Sequence, residues 1–130
     1  MKVSLKKSDT FIPDWEDNLD QSEETQVKFH YRFLGSADRK RYVYQKPIEF
    51  TQDVGKAEGQ IGKIEMIQDG RGLALAMVTK IENLEVEYED GVTDTVTDIR
   101  DFYKRAIPDL AAMLEAHMLE ATAVVDPKNS

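Results

Sequence analysis

The residue types that most often carry catalysis are scarce in this chain, and none of them forms a known motif. There are two histidines, His30 and His117, and no cysteine. Neither histidine belongs to a His-x-x-x-His zinc motif, and a chain without cysteine has no thiol nucleophile or thiolate ligand. None of the serines lies in a Gly-x-Ser-x-Gly nucleophile elbow. We therefore expect no catalytic residue, no metal site and no cofactor, and a protein that is not an enzyme.

The glycine-rich stretch 55–63 comes closest to a nucleotide-binding motif. A phosphate loop needs a glycine five positions before its Gly-Lys pair and a serine or threonine directly after that pair. In this chain the Gly62–Lys63 pair has Ala57 and Ile64 at those two positions. The stretch therefore predicts a mobile loop instead of a phosphate site.

The acidic residues are numerous but match no site pattern. Asp94, Asp98 and Asp101 lack the twelve-residue pattern of a calcium loop and are better explained as turn and helix-cap residues. A glycosidase-like carboxylate pair stays open as an alternative, because 25 acidic residues give many accidental pairs. An enzyme with an unrecognised site is accordingly the third hypothesis for this chain.

Composition and charge limit the classes of partner. The chain has 130 residues, which predicts one domain, 1–130. Its net charge is −8, which argues against nucleic acid because phosphate binding depends on clustered lysine and arginine. No apolar run approaches the ~20 residues of a membrane span, and no signal peptide is recognisable at the start. Together with the missing cysteines, this predicts a cytoplasmic protein without a membrane partner.

The charge is unevenly distributed along the chain. Residues 81–120 hold eleven acids and three bases, whereas 25–46 hold six bases and one acid. Ordinary solvated faces explain this pattern. The alternative is that an acidic C-terminal face meets a basic partner surface, such as the Arg39–Lys40–Arg41 patch of a neighbouring copy. A homo-oligomer is compatible with that alternative.

The N-terminal half predicts an arm, a strand and a helix. Residues 1–25 form a polar arm with a short strand at Val3–Leu5, which Phe11 and Trp15 anchor to the core. Residues 26–34 alternate between aromatic or branched residues and polar ones, which predicts a half-buried antiparallel strand with His30 facing solvent. A helix over 37–44 follows, ended by Lys46–Pro47, and a strand over 48–51.

The middle of the chain predicts a loop, a helix and a hairpin. A Gly-rich loop covers about 53–72 and contains a short strand at 63–67; a helix over about 70–79 comes next. Asp90–Gly91 between two apolar runs is a strong hairpin signal. The acidic side chains of the first hairpin strand are predicted to line its outer face and, with Asp90, to form a protein-binding surface: Glu85, Glu87, Glu89 and Asp90.

The C-terminal part predicts two helices. Thr97 or Asp98 caps the first, and Pro108 begins the second. An apolar stripe then continues to about Ala123, with His117 on it as a core or interface histidine, and 126–130 form a short tail. The members of this stripe are Leu110, Met113, Leu114, His117, Met118 and Ala121. The predicted fold class is α+β, an antiparallel sheet packed by C-terminal helices.

Several of these motifs resemble small phage and prophage proteins of the tail-assembly type. The shared features are an I-x-N-L-x-V pattern at 81–86, the D-G turn at 90–91 and the amphipathic helix after it. The segment Phe11-Ile-Pro-Asp-Trp15, the aromatic strand and the run 35–42 also fit, whereas 53–72 does not align. The resemblance implies a tail assembly chaperone that binds the tape-measure protein, or a minor virion subunit.

These observations lead to two non-enzymatic hypotheses. The first is a phage or prophage protein that acts in tail or virion assembly through protein–protein contacts, in the bacterial cytoplasm or in the virion. Its partner would be the tape-measure protein or another virion protein. The alternative is a small acidic regulator or inhibitor that binds a basic protein surface.

Overall fold

A computed structural model describes residues 1–48 and 63–124, which form an α+β fold of antiparallel sheets and packed helices. This confirms the predicted fold class. The strands are β1 (Ser8–Phe11), β2 (Lys28–Arg32), β3 (Val43–Ile48), β4 (Lys63–Gln68), β5 (Val78–Glu82), β6 (Leu84–Glu87) and β7 (Thr93–Val96). The helices are α1 (Ser36–Arg39), α2 (Gly70–Met77), α3 (Ile99–Lys104) and α4 (Pro108–Val124), with a 3₁₀ turn at Asn18–Asp20.

The described strands pair as three antiparallel units: a three-stranded sheet in the order β1-β2-β5, and the pairs β3–β4 and β6–β7. Strand β2 is central because it pairs with β1 on one edge and β5 on the other, and its alternating sequence gives it one apolar and one polar face. Phe29 and Tyr31 are buried on the apolar face, as predicted. His30 and Arg32 lie on the opposite face, which is not covered by the core.

The core lies between the apolar face of this sheet and helices α2, α3 and α4. Leu110, Leu114 and Met118 of α4 are completely buried, which is the predicted stripe at helical spacing. Phe102 of α3 packs edge-on against Phe29 at 5.4 Å between ring centroids. The helix boundaries also follow the sequence. Asp98 caps α3 by accepting the backbone N–H groups of residues 100 and 101, and Pro108 begins α4.

The N-terminal arm differs from the prediction in its strand. Residues 3–5 form no strand, and β1 begins at Ser8. Strand β2 is too short to pair with residues 3–5. The pairing stops at Lys7, whose carbonyl accepts the N–H of Phe33, the residue after β2. Phe11 and Trp15 are partly buried against the core, as expected for anchors of the arm.

The helix predicted over 37–44 is wrong beyond its first turn. It ends at Arg39, and β3 begins at Val43. Tyr42, Val43 and Tyr44 are aromatic or β-branched residues that favour strands, and β4 provides the partner that local sequence analysis did not include. Pro47 lies within β3 instead of ending a helix, which an edge strand tolerates.

Part of the predicted Gly-rich loop is regular structure. Residues 63–68 form β4, close to the predicted strand at 63–67. The helix predicted over about 70–79 begins at Gly70 but ends at Met77, because Val78 and Thr79 already belong to β5, which pairs with β2. Asp69 caps α2 by accepting the N–H of Gly72 at 2.9 Å. Residues 49–62 lie outside the described residues, and with them half of the predicted loop over 53–72 and most of the predicted strand over 48–51; the tail 126–130 lies outside them too.

The hairpin β6–β7 closes through a three-residue loop, 89–91. Tyr88 and Val92 close the ladder, and the N–H of Gly91 donates to the Tyr88 carbonyl at 2.9 Å. Gly91 has φ of +87°, which confirms the predicted left-handed glycine. This pattern, a turn followed by a left-handed residue, is common in three-residue hairpin loops.

Gly91→Val should lower the free energy of unfolding by about 1 kcal/mol or more, because a β-branched residue resists positive φ. No other atom lies within 4 Å of the added Cβ, so the cost is one of backbone conformation. Urea unfolding of the variant measures it. Gly35→Val is the matched control, since Gly35 is equally open but has φ of −69°. Equal losses at the two positions would contradict the prediction.

Candidate protein-binding surface

The acidic hairpin, residues 84–96, presents its two faces to different environments. Leu84 and Val96 are buried against the core. Glu85 and Glu87 lie on the opposite face and are exposed, and their cross-strand neighbours are Thr95 and Thr93. The predicted acidic outer face is therefore present, with uncharged residues beside it.

Glu89 and Asp90 belong to the loop and not to the strand. Strand β6 ends at Glu87, so only two of the three predicted glutamates share the ladder. The carboxylate of Asp90 accepts the N–H of Val92 at 3.0 Å and so stabilises the turn. Both loop acids are exposed.

These glutamates have no internal counter-charge in the described parts of the chain. None of the ion pairs there includes Glu85, Glu87 or Glu89. Two residues apart on a strand, Glu85 and Glu87 lie roughly 7 Å from each other, so their charges repel. A basic surface brought against them would relieve that repulsion.

Arg105 holds the hairpin against α3. Its guanidinium donates to Asp94 of β7 at 2.7 Å, to Asp101 of α3 at 3.1 and 3.2 Å, and to the hydroxyl of Tyr88. The bonds to Asp101, Asp94 and Tyr88 raise the pKa of Arg105 above its already high value. These contacts link β7 and Tyr88, the residue after β6, to α3.

The aspartates considered as a cation site serve this arrangement. Asp98 caps α3, while Asp94 and Asp101 pair with Arg105. Within residues 1–48 and 63–124 no group of three or more His, Asp or Glu side chains is arranged to hold a metal ion.

The basic patch Arg39–Lys40–Arg41 divides into one structural and two exposed residues. Arg39 donates to the carbonyl of Thr122 at 3.1 Å, near the C-terminal end of α4. A cation at that position is favourable because the last carbonyls of a helix carry partial negative charge. Lys40 and Arg41 are exposed.

His30 joins a chain of side chains across the open face of the three-stranded sheet. Its Nδ1 is 2.9 Å from Thr10 Oγ1 and its Nε2 is 2.7 Å from Glu82 Oε1. The His30 hydrogen bond, helped by Lys80, lowers the pKa of the Glu82 carboxyl. The predicted solvent-facing histidine is therefore half-buried and bonded at both ring nitrogens, a pairing that depends on the cross-strand register.

This hydroxyl–imidazole–carboxylate order is that of a nucleophile, a base and an orienting group. Catalysis also requires donors that stabilise an oxyanion beside the nucleophile. The N–H of Thr10 itself donates to Asp9 Oδ1 at 2.8 Å. The contact of Thr10, His30 and Glu82 links the three strands β1, β2 and β5 of the sheet.

An apolar groove of about 480 Å³ lies where α3 meets α4. Phe102, Ile107 and Pro108 are among the residues that line it. Tyr103, which also lines the groove, donates to Glu115 at 2.9 Å, and the Arg71 guanidinium lies 4.8 Å from the centre of the Tyr103 ring. Burial and Glu115 raise the pKa of Tyr103. Sequence analysis did not identify this groove, because its residues come together only when the helices pack.

His117 packs on the apolar side of α4, as predicted. Its ring stacks on Phe11 with centroids 4.1 Å apart, and its Nε2 is 3.2 Å from the hydroxyl of Tyr31. Burial lowers the pKa of His117 from 6.5, and the negative charges of Glu120 and Asp9 only partly oppose this.

This depressed pKa predicts that the free energy of unfolding falls as the pH is lowered from about 7 to about 5. In this range the unfolded chain binds more protons than the folded one. The stability that neutral His117 contributes is fully present above its unfolded pKa, and it is lost as the pH falls toward the lower pKa of the folded state. Urea unfolding across this range measures the slope. His117→Gln can still accept from the Tyr31 hydroxyl but does not titrate, so its slope should be smaller. Identical slopes would contradict the assignment.

No protein-family model, curated protein or solved structure matches this chain. The likeness to tail-assembly proteins thus depends on the sequence motifs alone. None of the helices in the described residues is long and apolar enough to cross a membrane.

Proposed function

We propose that this protein acts without catalysis, by binding another protein through its acidic hairpin, in the assembly of a phage tail or virion. The binding mode follows from the hairpin, and the biological setting from the sequence resemblance. The partner would be the tape-measure protein or another virion protein, met in the cytoplasm of a bacterial host or in the virion.

The observation that carries the proposal is the asymmetry of the hairpin. On its inner side, charge is neutralised, because Asp94 pairs with Arg105 at 2.7 Å. On its outer side Glu85 and Glu87 are exposed, with threonines across the strand. A row of exposed carboxylates on a strand whose other face is packed on the core is complementary to a basic protein surface, which supports the proposal.

Exposed apolar groups accompany these charges. Tyr88 and Val92, which flank the loop, are 42% and 52% exposed. Apolar groups surrounded by charge are typical of protein-binding surfaces, where the apolar part contributes affinity and the charges contribute orientation and association rate. A basic protein surface with an apolar centre is the complementary partner.

Reversing three charges should weaken partner binding while the fold is retained. In Glu85→Lys/Glu87→Lys/Glu89→Lys, we expect recovery of a specific partner from induced or infected cells to fall about tenfold or more, a change of ~1.4 kcal/mol. The difference should be greatest at low salt, since salt screens exposed charges. Circular dichroism and thermal unfolding confirm that the variant folds.

The matched control is Asp14→Lys/Asp17→Lys/Asp20→Lys, which makes the same change of charge at exposed acids of the N-terminal arm. This variant should recover the partner as the unaltered protein does. Equal recovery by all three proteins would reject the hairpin as the binding surface. A recovered basic protein that is not a virion component would favour the regulator hypothesis instead.

A further inference from the structure

The pair β3–β4 exposes apolar side chains that the rest of the described chain does not cover. Tyr44, which shares one face of the pair with Lys46, is 43% exposed, and Ile64 and Met66 on the other face are 63% and 52% exposed. Only the residues at the start of β3, Tyr42 and Val43, pack against the core. A two-stranded hairpin by itself is marginally stable in water and gains stability when another surface covers it. This pair therefore has the properties of a binding element.

The charge of this element is opposite to that of the acidic hairpin. Residues 39–48 carry four bases and no acid, while residues 84–96 carry five acids and no base. Lys40, Arg41 and Lys46 are exposed. Glu65 faces Lys46 across the strands and offsets one of these charges, so the surface stays basic.

We propose that the basic surface of one copy, formed by Lys40, Arg41, Tyr44 and Lys46, binds the acidic hairpin of a second copy. Each surface combines charged residues with exposed apolar ones: Tyr44 on the basic side, and Tyr88 and Val92 on the acidic side. None of the ion pairs in residues 1–48 and 63–124 joins the two surfaces within one copy.

Contacts between two different surfaces repeat from copy to copy. Such a heterologous interface produces a closed ring if the rotation between neighbours closes, and a filament if it does not. This inference deepens the proposed function, because it uses the same acidic hairpin and adds the second surface that assembly requires.

The net charge of −8 opposes association, since every copy repels every other at long range. The screening length is only about 8 Å at physiological ionic strength, so distant charges are largely screened. Charges in direct contact are screened much less, and at the proposed interface they are of opposite sign. Local complementarity should therefore outweigh the overall repulsion at physiological salt, and association should weaken as the screening length falls to about 3 Å in 1 M salt.

Two full-length variants test the proposal. One carries Glu85→Lys/Glu87→Lys/Glu89→Lys and has two basic surfaces; the other carries Lys40→Glu/Arg41→Glu/Lys46→Glu and has two acidic ones. Sedimentation velocity over a wide concentration range measures self-association. The unaltered protein should associate, and each variant alone should associate about tenfold or more weakly, ~1.4 kcal/mol.

The mixture of the two variants provides the decisive result. The reversed hairpin of one variant is complementary to the reversed basic surface of the other, and the same holds for the two surfaces left unaltered. An equimolar mixture should therefore restore association to near the level of the unaltered protein, which misfolded variants could not do. A mixture that stays monomeric, or an unaltered protein that stays monomeric at physiological salt, would overturn the proposal.

Failure of this inference can be told apart from failure of the proposed function. The variant Lys40→Glu/Arg41→Glu/Lys46→Glu keeps the acidic hairpin intact. If it still recovers the cellular partner but the mixture does not assemble, the proposed function stands and self-association is rejected. If the mixture assembles but no cellular partner depends on the hairpin, self-association stands and the external partner is rejected.

Discussion

Leu114→Ala should lower the free energy of unfolding by about 2–5 kcal/mol, with Leu110→Ala in the same range. Both side chains are completely buried on the core side of α4. Removing the buried methyl groups forfeits their transfer free energy and leaves a cavity, because α2 and the sheet hold the surrounding atoms in place. Since small domains have total stabilities of about 5–15 kcal/mol, this loss would be a large fraction of the whole.

Chemical unfolding monitored by circular dichroism provides the measurement. Leu75→Ala is the matched control: the side-chain change is the same, but Leu75 on α2 is 38% exposed. It should lose much less stability than Leu114→Ala. An unchanged melting temperature for Leu114→Ala would mean that the stripe on α4 contributes to an interface and not to the core.

The elements predicted correctly are those whose signal is local. The alternation in 26–34 identifies β2, because a half-buried strand needs a period of two. The pair Asp90–Gly91 identifies the hairpin loop, because the positive φ that such a loop needs is most easily adopted by glycine. Asp98 and Pro108 identify the starts of α3 and α4 through helix-end chemistry that involves only neighbouring residues.

The errors occur where a distant partner decides the structure. Tyr42–Tyr44 could continue a helix by sequence, but strand β4, twenty or more residues later, pairs with them. Residues 3–5 have the alternation of a strand but lack a partner beyond the end of β2. In both cases the pairing across the chain, and not the local propensity, determines the outcome.

In the candidate binding surface, too, the features with a local sequence signal are predictable and those made by distant residues are not. The acidic outer face of the hairpin is predictable, because alternation along a strand places Glu85 and Glu87 on one side. The hydrogen bond from Arg105 to Tyr88 is not predictable, because the two residues are 17 positions apart in the chain. Likewise His30 meets Glu82 across 52 residues, a contact that only the sheet register creates.

Gly70 gives the clearest case of a residue whose role depends on packing. It falls in the overlap of the predicted loop over 53–72 and the predicted helix over 70–79, and it is the buried first residue of α2. A Cβ added there would lie 2.9 Å from Cβ of Glu115 and 3.4 Å from the Glu115 carbonyl oxygen. Glycine at this position therefore allows α2 to approach α4 closely, which fixes the distance between two helices of the core.

Gly70→Val should accordingly lower the free energy of unfolding by about 1–3 kcal/mol, the usual cost of overpacking. The Glu115 Cβ is attached directly to the helix backbone, so it cannot move aside without displacing α4. The open position Gly35, with no atom within 4 Å of an added Cβ, again provides the control. Gly35→Val should cost far less in the same urea titration.

A double-mutant cycle with Glu115→Gly isolates the steric contact itself. Removing the Glu115 side chain costs stability on its own, because Tyr103 loses its acceptor at 2.9 Å and the helix gains a glycine. Gly70→Val should nevertheless cost less in that background, since the opposing Cβ is gone. The expected interaction energy is about 0.5–3 kcal/mol, typical of residues in contact. Additive losses would show that the two helices do not meet at Gly70 and Glu115, and would place their closest approach elsewhere along α4.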